Sequence, residues 1–72
     1  MTDTKKLVRR IEESGLKKKY IAIMLGISRA ALSKKIANES EFKASEIAKL
    51  CNILGIKSEA DRTAIFFANQ VA

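Results

Sequence analysis

Seventy-two residues suffice for one small domain, and 47% hydrophobic with 31% charged residues is the balance of a globular chain rather than a disordered or membrane one. There is no histidine and a single cysteine, so a disulfide framework and a zinc site are both excluded, and no apolar run approaches the roughly 18 residues of a membrane span. The net charge of +6 is unevenly held: residues 1–36 carry ten Lys/Arg against Asp3, Glu12 and Glu13, a net of +7, whereas residues 37–72 carry four basic and five acidic residues, a net of −1. One half of the chain is therefore suited to a polyanion, and the other half to something else.

The pattern predicts only helices. From Asp3 or Thr4 to Ser14, Leu7, Val8 and Ile11 recur at helical spacing among charged residues, and Gly15 supplies a stop. A second helix runs from Lys17 to Leu25 with Ile21, Ala22 and Leu25 on one face, ending at Gly26, where a tight turn needs positive φ. After Ile27, the hydroxyl of Ser28 is placed to cap a third helix over Arg29–Ala37, which turns Leu32 and Ile36 inward. Residues 38–41 read as a loop, followed by Phe42 as an inward anchor and a fourth helix from Lys43 or Ala44 to Leu54 with Ile47, Leu50, Cys51 and Leu54 buried. Cys51 is expected as a small core hydrophobe rather than a reactive thiol. Gly55 stops that helix, Ile56 packs back, and Ser58 with Asp61 resembles a cap for a last helix running to about Asn69, its apolar side made by Ile65, Phe66 or Phe67, and Val71. The expected fold class is all-α, a single domain over residues 1–72 built as a compact bundle of about five short helices whose short connections make neighbours cross steeply. Met1 to Lys6 has no apolar segment behind it, so no signal peptide is expected.

The run from Leu16 through Lys17-Lys18-Lys19-Tyr20-Ile21-Ala22-Ile23-Met24-Leu25-Gly26-Ile27-Ser28-Arg29-Ala30-Ala31-Leu32 to Ser33 resembles the helix-turn-helix of the Cro/repressor family. A small Ala22 lets two helices approach, Gly26 makes the turn, Ile27 plugs the core beneath it, Leu32 packs the third helix on the second, and Ser28 caps it as it projects. Further along, Leu32-Ser33-Lys34-Lys35-Ile36, Phe42, Glu46-Ile47 and the terminal Phe66-Phe67 with Val71 are similar to the small Cro-like regulators of temperate phages of Gram-positive bacteria. The resemblance implies a cytoplasmic transcriptional regulator, in a bacterium or its phage, at a lysis/lysogeny switch. The resemblance further implies binding to double-stranded operator DNA with Ser28–Ala37 as the recognition helix in the major groove, and, since such repressors usually pair, a homodimer. Relatives of this size also act as modulators of repression, or antirepressors, by associating with a partner phage repressor.

For DNA, that geometry places Arg29, Ala30, Ser33 and Lys34 towards base edges, with Arg29 able to pair with guanine and Ala30 to touch a thymine methyl. Lys18 takes a backbone phosphate at the start of the second helix, and Lys17, Lys19, Lys35, Asn38 and Lys43 are further phosphate candidates. Two features suit a protein partner instead. Ala30 and Ala31 leave few hydrogen-bonding groups for reading bases, and because the core face of the second helix is already filled by Ile21, Ala22 and Leu25, at least one of Ile23 and Met24 is expected to be exposed. Of Phe66 and Phe67, about 100° apart on a helix, a thin core takes only one fully, leaving the other for a dimer. No enzyme is expected: there is no recognisable nucleophile and base, no glycine-rich phosphate loop, and Glu12 and Glu13 diverge from one another. Neither cofactor nor metal is called for.

Overall fold

The computed structural model describes residues 1–68, and within them the chain forms five α-helices: α1 (Thr4–Ser14), α2 (Lys18–Leu25), α3 (Arg29–Ile36), α4 (Ala44–Leu54) and α5 (Glu59–Phe66). Among the described residues there is no strand, and no helix is long and apolar enough to cross a membrane. Four of the five starts have a local cause. Asp3, Ser28 and Ser58 accept the backbone N–H groups of Lys6, Ala31 and Asp61, so three helices begin where a short polar side chain replaces a missing intrahelical acceptor. The start of α4 is held from inside instead, by Glu46, whose carboxylate accepts the Lys43 N–H at 2.8 Å.

The apolar faces converge on one core of Leu7 and Ile11 from α1, Ile21, Ala22 and Leu25 from α2, Leu32 and Ile36 from α3, Ile47, Leu50 and Cys51 from α4, and Ile65 and Phe66 from α5, closed by Ile56. Leu7, Ile21, Leu32 and Leu50 are completely enclosed, so the four helices that carry them share a centre. Helix α2 packs on α3 and α4, while α1 packs on α3, α4 and α5. Phe42 is a half-buried anchor, and its ring meets Phe66 edge to face at 5.6 Å and 86°, the arrangement that opposing ring quadrupoles favour. Phe66 is buried, and Phe67 is partly buried against the same core.

The last helix departs from the sequence pattern. It ends at Phe66, short of the expected Asn69, because the chain leaves helical geometry at Phe67 (φ −129°, ψ 42°) and the Ala68 N–H goes to the carbonyl of Met1 at 3.0 Å instead of back along the helix. With Asp3 N–H donated to Ile65 O at 2.6 Å, the first three residues become a strap across the end of α5. Asn69 and Val71 lie outside the described residues. The second and third helices are each one residue shorter than the periodicity suggests, with Lys17 and Ala37 at the cap positions.

Candidate nucleic-acid interface

Helices α2 and α3 are joined by three residues, Gly26 to Ser28, two of which turn their N–H groups back onto α2. Gly26 takes φ 73°, its N–H bonds to Ile23 O at 3.1 Å, and the Ile27 N–H reaches back to Ala22 O at 3.0 Å, closing the end of α2. A Cβ at Gly26 would meet nothing within 4 Å, so glycine is required there by backbone conformation rather than by crowding. Beneath the turn Ile27 packs against the core, and Ala22, only 2% exposed, lets α3 lie close on α2. Ser28 is extended (φ −73°, ψ 157°), and its Oγ accepts the Ala31 N–H at 3.0 Å, so α3 leaves the turn with its first turn capped.

Leu32 and Ile36 fix the inner face of α3, so Ala30 and Lys34 lie on its opposite side, and Arg29 at the first turn and Ser33 on the flank are exposed with them. Neither Arg29 nor Lys34 is in an ion pair among the described residues. Lys17 and Lys19 are exposed and Lys18 half-buried at the start of α2, where Lys17 occupies the cap position and offers no acceptor. Among the described residues the N–H groups of Lys18, Lys19 and Tyr20 therefore have no hydrogen-bond partner, in contrast to the capped starts of α1, α3 and α5. An uncapped helix start with three lysines is where an anion is favoured, both by free donors and by the helix dipole.

Two residues expected at phosphates have other work. The Asn38 amide donates to Thr2 O at 2.6 Å, while its Oδ1 accepts the Thr2 N–H at 2.9 Å, and the Thr4 hydroxyl bonds to Ile36 O at 2.6 Å. Asn38, at φ 65°, thus ties the foot of α3 to the N-terminal strap. Lys35 points inward and pairs with Glu46 on α4 at 2.5 Å, the two side chains 12% and 8% exposed. Burial by itself would raise the Glu46 carboxyl. The hydrogen bonds from Lys35 and the Lys43 backbone, with the charges of both lysines, outweigh it and hold the carboxyl below its ordinary value. Lys43 itself remains exposed.

The roles of Glu46, Thr2 and Thr4 in holding the far end of α3 are not visible in the sequence. A signal existed only for Glu46, an acid three residues into a helix, the position from which a carboxylate reaches back to the cap. Ile23 and Met24 stand out from α2 with 66% and 47% exposure, and Tyr20, not anticipated, joins them at 47%. The three occupy i, i+3 and i+4, so they form one apolar stripe beside the turn. Cys51 lies in the core, and burial pushes its thiol up despite the charges of Arg62 and Arg10.

Residues 6–61, from α1 into α5, match the family described as the Cro/C1-type HTH DNA-binding domain. The chain matches no curated protein and no solved structure.

Proposed function

The chain belongs to the Cro/C1-type helix-turn-helix DNA-binding domain family, and from that premise we propose that it regulates transcription at a phage lysis/lysogeny-type switch, in the bacterial cytoplasm, by laying α3 in the major groove of operator DNA. In this reading the 72 residues act as one helix-turn-helix domain, paired as a dimer on a two-part site. The observation that carries it is the exposed strip Arg29, Ala30, Ser33 and Lys34 on a capped helix, beside the uncapped, lysine-bearing start of α2. Arg29 is the one side chain of the strip with a fork that fits guanine, Ser33 adds a hydroxyl, and Ala30 fits a thymine methyl, so discrimination is modest. Lys17 and Lys18 with the free N–H groups of α2 take phosphates and set the register.

Gel retardation on the promoter region of the chain's own operon tests this. Lys18→Ala and Lys34→Ala should each weaken binding and lower the salt slope by roughly 1, the signature of one phosphate contact. Arg29→Ala should relax the preference for the promoter over random duplex. Unchanged affinity and slope in all three variants would remove α3 and the start of α2 from the interface.

A second reading is favoured by the Tyr20–Ile23–Met24 stripe, since a helix lying only across phosphates has no need of three exposed large hydrophobes. There the chain modulates repression by capturing a partner phage repressor on this face. Ile23→Ser and Met24→Ser would then each weaken that complex by more than about 1 kcal/mol while leaving the melting temperature nearly unchanged. Adding the neighbouring repressor to the same retardation assay separates the two readings.

A further inference from the structure

The first two turns of α1 carry four cations that the helix-turn-helix does not use, Lys5, Lys6, Arg9 and Arg10. Their placement works against the helix. They sit at its positive end, where no acidic residue is found in the first turn, and the spacings Lys5–Arg9 and Lys6–Arg10 are i, i+4, which stacks like charges one turn apart. Asp3 lies 4.0 Å from Lys6 and Asp61 lies 3.7 Å from Arg10, so two of the four are partly relieved. Lys5 and Arg9 are exposed and have no ion-pair partner among the described residues. Neither packing nor helix stability accounts for them, whereas a ligand with repeated negative charge would.

Between α1 and α5 an open cleft of about 160 Å³ is lined by the cations Lys6, Arg9 and Arg10, by Ala64 and Ile65, and by one acid, Asp61. Its cationic lining continues the Lys5–Arg9 ridge, so the positive surface is two-sided rather than a single row. We infer that this ridge of α1 is a second DNA-binding surface that takes backbone phosphates of a duplex, beyond those reached by α2 and α3. A spaced row of cations on a helix matches the regular phosphates of a duplex, one charge per 3.4 Å of each strand, and carries no base readout. The inference rests on the DNA-binding reading above.

The test is the salt dependence of binding to two probes of equal length, a duplex from the promoter of the chain's own operon and a random-sequence duplex. The double variant Lys5→Gln/Arg9→Gln is compared with Lys49→Gln/Lys57→Gln, which removes the same charge from exposed, unpaired positions outside α1. The α1 pair should lower the salt slope by roughly 2 on both probes and weaken binding on the order of tenfold or more at 0.1 M salt. Its melting temperature should stay level or rise, because repulsion at the start of α1 is relieved. The control pair should leave the slope near that of the wild type. An unchanged slope in the α1 variant, or an equal fall in both variants, overturns the second surface. Failure of the two readings is distinguishable: loss of slope in Lys5→Gln/Arg9→Gln with none in Lys18→Ala and Lys34→Ala leaves the α1 surface standing and removes the α3 reading. The converse pattern removes only the α1 surface, and a wild-type chain that retards neither duplex removes both.

Discussion

Asn38 shows how one side chain can have a partner that its neighbours in sequence do not reveal. Lying just past the basic helix α3, it resembles a phosphate ligand, while its amide exchanges a pair of hydrogen bonds with the Thr2 backbone and its own backbone sits at φ 65°, a region that asparagine tolerates better than most residues. Asn38→Ala should lose both the clamp and the tolerance and destabilise the domain by about 2–4 kcal/mol, from two hydrogen bonds and one left-handed residue. Asn38→Gly keeps the backbone and loses only the clamp, so chemical denaturation should place it about 1–2 kcal/mol above the alanine variant. Two variants both within about 0.5 kcal/mol of wild type would show that the strap contributes nothing. Glu46 makes a second residue-scale prediction. Its folded carboxyl lies below the ordinary 4.5, so its contribution is full above that value and disappears as the pH falls through the lower, folded one. Glu46→Gln should cost about 1–3 kcal/mol at neutral pH by leaving Lys35 short of its partner, and the difference from wild type should shrink on acidification below about pH 4.5. Urea unfolding across that range would read it, and a difference that is constant with pH would contradict the ion pair.

At the scale of the element, α3 is held from three sides, which is what a helix that must project from a 72-residue body requires. Leu32 and Ile36 seat it on the core, Ser28 caps its start, and Lys35 with Asn38 tie its far end to α4 and to the strap. Leu32 is completely buried, so Leu32→Ala should cost about 2–5 kcal/mol, a large share of what so small a domain can hold. A thermal or urea measurement showing less than about 0.5 kcal/mol would mean that the inner face of α3 is misidentified. Gly26→Ala should be milder, about 1–2 kcal/mol, because the added methyl has open space and only the backbone angle resists it. The contrast separates a position defined by packing from one defined by φ.

Among the described residues there is one hydrophobic cluster, to which all five helices contribute, and Cys51 lies within it. Unfolding should therefore be a single cooperative step. The rate at which a thiol reagent modifies Cys51 should rise with urea in parallel with the loss of helical circular dichroism, since a buried thiol held above its ordinary pKa reacts only when the core opens. Thiol reactivity that precedes the loss of helix would indicate that α4 detaches locally from the rest. Charge, by contrast, is distributed rather than shared: the basic half of the chain surrounds the helix-turn-helix and the start of α1, and the neutral half supplies the supporting helices α4 and α5.

What the sequence determined by itself was everything whose cause is local. Helix starts follow from Asp3, Ser28 and Ser58, the sharp end of α2 from Gly26, and the inner faces from apolar residues one turn apart, so the five helices, the core from Leu7 to Phe66 and the strip Arg29–Lys34 were all legible. That at least one of Ile23 and Met24 is exposed was legible too, because a helix has room for only one inner face; both are. Tertiary structure alone decided the pairs that lie far apart in the chain. Asn38 meets Thr2 across 36 residues and Lys35 meets Glu46 across 11, and no periodicity encodes which polar groups face each other once helices cross. For the same reason α5 stops at Phe66. The Ala68 N–H finds Met1 O, a partner supplied by the other end of the chain, and an apolar pattern that would have continued the helix has no means of anticipating it.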